Sequence, residues 1–197
     1  MSMHDRSPPS DLGELLAKIV AEVASRSPPL GVATRIVAID GHGGAGKSTL
    51  AEHVALALNG AAIIHTDDFA SWENPVNWWP QLIEVVLKPL ARSEAVRFKR
   101  SQWQPGQDRG WADIQPASDV VLEGVSASRE AFQPWLTYSI WVEAPPELRL
   151  ARGLARDGEP SRTQWEEWMQ AEDEYKRRER ADERADLVLR SDLNLWT

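Results

Sequence analysis

RIVAIDGHGGAGKSTLA, residues 35 to 51, is the stretch from which the rest of the chain is read. An apolar run, a glycine-rich turn and a Lys-Ser-Thr opening a helical pattern follow one another. Gly41, Gly46, Lys47 and Ser48 stand at the G-x-x-x-x-G-K-[ST] spacing of a phosphate-binding loop. Glycines let successive backbone N–H groups curl round an anion, and the helix that follows points its positive end at the same place. Gly43, Gly44, Ala45 and Thr49 complete the expected cradle. Lys47 is placed to reach the β and γ phosphates and Ser48 to ligate Mg²⁺. The plain alternative is a chance match in a glycine-rich loop. The strand before it and the helix after it argue against that, so the stretch implies a nucleoside-triphosphate site.

The 197 residues fit one domain with room for a small insertion or lid. A net charge of −8 argues against a surface that tracks nucleic-acid phosphates. The chain has no cysteine, which excludes a disulfide framework, a thiolate metal site and a cysteine nucleophile. No run approaches the about 18 apolar residues of a membrane span. These features lead us to expect a cytoplasmic protein with no nucleic-acid or membrane partner. Ten tryptophans are the unusual count.

Outward from the loop, strands and helices alternate. Residues 1–10 are polar and Pro-rich and are expected to be disordered. Leu12, Leu15, Leu16, Ile19, Val20 and Val23 recur at helical spacing, with Ser10 as N-cap. Arg35 to Ile39 reads as a buried strand, Lys47 to Leu58 as a helix, and Ala61 to His65 as a second strand. Asn77 to Ala91 reads as a helix. Val96 to Pro116 is irregular, belonging to a substrate-side insertion over about 70–116 that has room for a short hairpin. Val120 to Glu123 and Tyr138 to Val142 are further strands. A helix from Pro145-Pro146 to about Arg156 follows, then a charged helix from Thr163 to Arg184, and a fifth strand over Asp186 to Leu189. This alternation predicts an α/β fold of three layers, a five-stranded parallel sheet covered by helices on both faces.

Several side chains carry candidate chemistry. Glu123 ends an apolar run before Gly124 and is the best carboxylate for Mg²⁺; a strand-end acid exposed in a loop is the alternative. Asp67 and Asp68 close the second strand, where a carboxylate can orient an acceptor hydroxyl and take its proton; capping a turn is the alternative. Asp40 reads either as a strand-end cap or as a group behind the loop. Arg149, Arg152 and Arg156 share a helix face, which favours a bound anion or a solvated face paired with Glu147 and Asp157. Trp165, Trp168, Met169, Glu172 and Tyr175 form one helical stripe, for which packing is the default. Trp72, Trp78, Trp79, Trp103 and Trp111 cluster in the insertion; stacking on a flat substrate competes there with packing, and Trp72 and Trp103 are the candidate acceptor contacts.

With these residues in view, the chain resembles the uridine kinase-like P-loop kinases, a group that takes in phosphoribulokinase, pantothenate kinase and nicotinamide riboside kinase relatives. IDGHGGAGKSTLA from Ile39, HTDDFA from His65, VVLEGVSASR from Val120, IWVEAPPELRLARGLARD from Ile140 and ADLVL from Ala185 carry the likeness. The resemblance implies Asp67 as the base, with Asp68 second, and Glu123 near Mg²⁺ and substrate. It implies a lid over about 149–162 that brings Arg149, Arg152 and Arg156 to the phosphates. Ala70 stands where uridine kinases carry Tyr or Phe, and Gly153 where a second lid arginine is common. The expected activity is ATP- and Mg²⁺-dependent phosphoryl transfer to a small-molecule hydroxyl, a nucleoside first. The alternatives are another acceptor (pantothenate, a sugar or an antibiotic) and, in a different class, a regulatory nucleotide-binding module.

Overall fold

Residues 36 to 39 alternate between two apolar faces, and that alternation organises the molecule. In the computed structural model, which describes residues 11–71, 74, 77–103 and 106–191, strand β1 (Arg35–Gly41) sends Ile36 and Ala38 to one side and Val37 and Ile39 to the other. All four are fully buried, so both faces must be covered. On the Val37 side lie helix α1 (Leu12–Ser25), through Leu15, Ile19 and Val23, and helix α2 (Lys47–Ala57), through Leu50 and Val54. The Ile36 side packs Leu82, Val86, Leu87, Leu90, Phe98 and Phe132.

Among the described residues, five strands make the parallel sheet in the order β2 (Ala62–His65), β5 (Asp119–Glu123), β1, β6 (Tyr138–Glu143), β7 (Leu187–Arg190). The predicted three-layer fold is therefore present. Residues 79–91 form α3 (Trp79–Leu82), a π-helical stretch (Ile83–Leu87) and α4 (Lys88–Ala91). A plain α-helix fails here because Pro89 has no N–H and its ring crowds the preceding turn. The wider π turn, with Lys88 N–H on the Ile83 carbonyl, accommodates it. β3 (Val96–Lys99) and β4 (Trp111–Ile114) pair as an antiparallel hairpin in the insertion. Helix α5 (Pro146–Asp157) leads to α6 (Arg162–Glu179) and the short α7 (Ala181–Arg184). The expected continuous helix to Arg184 is broken at Arg180, which takes a left-handed φ of 49°. At the start of α1 the N-cap is Asp11, which accepts from Glu14 N–H at 2.8 Å. Ser10 and the expectation for residues 1–10 lie outside the described residues. Among those residues no helix is long and apolar enough to cross a membrane.

Asp40 settles one of the open readings: it sits behind the loop, fully buried at the end of β1. Its Oδ1 accepts from Gly41 N–H (2.6 Å) and Ser126 N–H (2.8 Å). Its Oδ2 accepts from Ser128 N–H (2.9 Å), Ser128 Oγ (2.8 Å) and the Tyr175 hydroxyl of α6 (2.7 Å). Burial and the Asp40 charge push the Tyr175 phenol well above its ordinary value, so it remains a donor. Replacing Asp40 by Ala leaves buried donors unpaired, and chemical denaturation is expected to show a loss of about 3–5 kcal/mol. Tyr175→Phe removes one charge-assisted bond and is expected to cost about 2 kcal/mol in the same measurement.

Candidate active site

Parallel strands bring their carboxyl ends to one edge of the sheet, and the crevice there is where open α/β folds bind ligands. His65, Glu123 and Ile39 are register neighbours on β2, β5 and β1. A cavity of about 890 Å³ opens over this edge, within the range of small-molecule sites.

The loop forms one wall. Gly46, at the N-cap of α2, has a φ of 91° and no side chain to close the helix end, so that end faces the cavity. Gly41 and Gly44 also take positive φ, and neither position has room for a Cβ. At Gly41 it would stand 2.2 Å from the Val142 carbonyl oxygen, and at Gly44 2.5 Å from that of Arg149. Ala45 is buried, while Thr49 lines the cavity. Lys47 folds its ammonium onto the His42 carbonyl at 2.9 Å. Burial and Arg149 push His42 down to about 4, so it is neutral at neutral pH.

Ser48, Glu123 and Asp67 line the cavity beside the loop, and His65 bonds to Glu123. Ser48 Oγ donates to Glu123 Oε1 at 3.0 Å, and His65 Nδ1 meets Glu123 Oε2 at 2.7 Å. Burial alone would raise the Glu123 carboxyl, but the His65 hydrogen bond, Lys47 and Ser48 bring it below the usual range. The Glu123 hydrogen bond in turn raises His65 against the effect of burial. Asp67 moves the other way. Its side chain meets the cavity solvent, yet protein surrounds it deeply, and that desolvation raises its carboxyl against the pull of Lys47. Solvent in the cavity moderates the rise.

Asp68 is separated from its neighbour. It is buried, with Arg109 Nη2 at 2.9 Å and Arg100 Nε at 3.2 Å. Both arginines belong to the hairpin region, and Arg109 Nη1 also donates to the Asp67 carbonyl at 3.1 Å. Asp68 therefore ties the hairpin to the Asp67 backbone and does not line the cavity.

The three arginines of α5 divide likewise. Arg152 and Arg156 line the cavity; Arg152 Nη1 reaches the Gly44 carbonyl (3.3 Å) and Ser191 Oγ (3.0 Å). Arg156 pairs with Asp157 at 2.8 Å and lies 5.5 Å over the Trp165 ring. Arg149 is buried beneath the loop against Glu172 at 3.5 Å and Asp173 at 3.8 Å.

Of the insertion tryptophans described, Trp103 alone lines the cavity, its Nε1 donating to the Asp67 carbonyl at 3.0 Å. Trp78 is in the core against Phe69 and Phe132, Trp79 packs beside it, and Trp111 is exposed under Arg97. Trp72 lies outside the described residues. Sequence reasoning missed Trp165 and Trp168, which line the cavity from α6. It also missed Glu172, which accepts Gly43 N–H at 2.9 Å. Gly153 was the available signal: a glycine in mid-helix costs about 1 kcal/mol and calls for a packing reason. That reason is the Trp165 indole, 2.4 Å from where a Cβ would stand.

No protein-family model matches the chain, and no curated protein does at the level of sequence. Among solved structures it is similar to a candidate uridine kinase from Bacillus stearothermophilus, with a TM-score of 0.63 and 19% identity over 90% of this chain and 96% of that one. It is also similar to a candidate fructose transport system kinase from Silicibacter sp. TM1040, with a TM-score of 0.61 and 19% identity over 91% and 99%. The fold is kinase-like. At such identity the likeness extends to the fold alone.

Gly153→Ala should test the α5–α6 contact. Helix propensity favours alanine by about 1 kcal/mol, whereas forcing a methyl against a rigid indole costs about 1–3 kcal/mol. Equilibrium unfolding is expected to show net destabilisation, and Trp165→Leu in the same background should recover part of it.

Proposed function

We propose that the protein is an ATP- and Mg²⁺-dependent kinase that phosphorylates a hydroxyl group of a small molecule, with a nucleoside as the first acceptor to try. One observation carries the reading: Asp67, Gly43, Gly44, the stretch Gly46 to Thr49, Arg152 and Arg156 all face one cavity. A nucleotide switch needs the loop and a cation site. It does not need a second carboxylate whose proton affinity is raised. The names of the two similar structures, a candidate uridine kinase and a candidate fructose transport system kinase, support a small acceptor and leave the sugar as the runner-up.

In this reading the acceptor O–H is broken as its oxygen attacks the terminal phosphorus of ATP and the β–γ bridging bond breaks. Asp67 receives the proton, and its raised carboxyl makes it a stronger base than an ordinary carboxylate. Lys47, Arg152, Arg156 and the loop N–H groups hold the transferring phosphoryl charge. Ser48 and Glu123 would hold Mg²⁺. Their two oxygens stand 3.0 Å apart beside the loop, Glu123 is held ionised, and oxygen-only donors suit a hard cation that keeps most of its waters. Among the described residues no group of three or more acidic, His or Cys side chains forms a metal cage, in keeping with a site completed by water and phosphate. When bound, Mg²⁺ supplies positive charge to the phosphoryl oxygens. Asp68 and Arg149 hold the Asp67 backbone and the loop from behind.

Asp67→Asn is the decisive variant. ATP affinity should stay within about threefold of wild type, while acceptor-stimulated ADP release across a panel of nucleosides, sugars and pantothenate drops by about 10²–10⁴-fold. If wild type binds ATP and no acceptor stimulates ADP release, the kinase reading gives way to a regulatory nucleotide-binding module.

A further inference from the structure

Glu172 lies on the α6 stripe whose spacing suggests packing, yet its contacts are polar. It is 1% exposed, and Oε1 accepts two hydrogen bonds, from Gly43 N–H at 2.9 Å and from the Trp168 indole N–H at 2.6 Å. Oε2 faces Arg149 Nη1 at 3.5 Å. The Trp168 ring lies 5.5 Å from that of Trp103, whose own indole N–H holds the Asp67 carbonyl. A path of contacts thus runs from the phosphate loop through Glu172, Trp168 and Trp103 to the backbone under Asp67.

A buried carboxylate is a poor space-filler, since an apolar side chain of similar volume is often as stabilising or more so. An apolar side chain cannot hold a loop N–H and an indole N–H on a single atom. We infer that Glu172 is a positioning residue of the proposed reaction, holding the phosphate loop and the Asp67 backbone in one register through Trp168 and Trp103. The catalytic part of this inference rests on the kinase reading; the mechanical part does not.

The groups facing Glu172 are Lys47 of α2, Gly43 of the loop, Arg149 of α5 and Trp168 of α6, with Asp173 beside Arg149 and paired to His42. Burial pushes the Glu172 carboxyl up to about 7, against Lys47, the Gly43 hydrogen bond, Arg149 and Trp168. A nucleotide's negative charge in the loop raises it further, so binding takes up a proton and weakens as pH rises through about 7. Glutamine at 172 keeps a carbonyl acceptor for Gly43 and Trp168 and cannot titrate.

Two measurements test this. Calorimetry gives ADP affinity at pH 6 and pH 8 for wild type and Glu172→Gln, a comparison in which the nucleotide's own titration cancels. Hydrogen exchange, without nucleotide, follows segments 42–46 and 66–70 in wild type, Glu172→Gln, Glu172→Ala and Trp168→Phe. The expected weakening of ADP from pH 6 to pH 8 is at least threefold greater in wild type than in Glu172→Gln. Exchange at 66–70 is expected to quicken about tenfold in Glu172→Ala and Trp168→Phe and to stay near wild type in Glu172→Gln. Equal pH ratios in wild type and Glu172→Gln would overturn the inference, as would loosening of 42–46 with 66–70 unchanged. If Glu172→Ala does not fold, Trp168→Phe alone decides the exchange arm. Failure of wild type to bind ADP would sink the kinase reading, and the exchange arm would still decide the coupling.

Discussion

The carboxylate of Asp40 is the constraint on which the rest of the site depends. A charge buried this completely is tolerated only when its lone pairs are occupied. Five hydrogen bonds occupy them here, and they come from three different pieces of chain: the first residue of the loop, the segment after β5, and α6. Each piece forms a wall of the cavity. The Ser126 N–H reaches Asp40 from a residue at φ 65°, a conformation that costs a non-glycine residue about 1–3 kcal/mol and persists where its surroundings hold it. That ionic tie offsets the strain, and it turns the chain after Gly124 back beneath the sheet edge. Glycine is needed at 124 for the same reason, because a Cβ there would overlap Thr66 Oγ1 at the start of the Asp67 segment.

Within the cavity two carboxylates are driven apart in proton affinity by their neighbours. Glu123 has a histidine, a lysine and a hydroxyl to stabilise its charge. Asp67 has protein bulk around it, the Glu123 charge nearby and Lys47 as its main opposing influence. Carboxylates separated in this way divide labour, the low one suited to a cation and the high one to a proton. The division depends on strand register, because His65 sits opposite Glu123 and can bond it, while Asp67, two residues farther on, has left the sheet.

Much of the fold was legible because it rests on local pattern. The both-face burial of residues 36–39, the loop spacing and the strand–helix alternation are properties of neighbouring residues. The site was legible only where it too is local. The turn from Gly41 to Gly46 and the helix that opens after it could be read because they follow from glycine spacing within a few residues. Asp67 and Asp68, adjacent in the chain, could not be told apart, since what distinguishes them is Arg100 and Arg109, which fold back from the hairpin region. The Arg149–Arg152–Arg156 spacing correctly indicates one helix face. It cannot say that the loop sits on the first turn of that face, which buries Arg149 and leaves the other two at the cavity. Trp165, Trp168 and Glu172 have core spacing, and the core-like stripe they form turns out to wall a cavity.

The same distinction bears on how each wall of the site is held. The loop end is made of backbone amides held by glycine sterics, so little there can change without moving β6 or α5, whose carbonyls leave no room for a Cβ at Gly41 or Gly44. A second wall is made of indoles from two distant elements, Trp103 near the hairpin and Trp168 on α6, meeting at 5.5 Å. Neither indole belongs to the sheet, yet each is tied to it from outside, Trp103 through the Asp67 carbonyl and Trp168 through Glu172 to Gly43. The Arg156 guanidinium is already paired with Asp157 and stacked on Trp165, so any anion it meets competes with both.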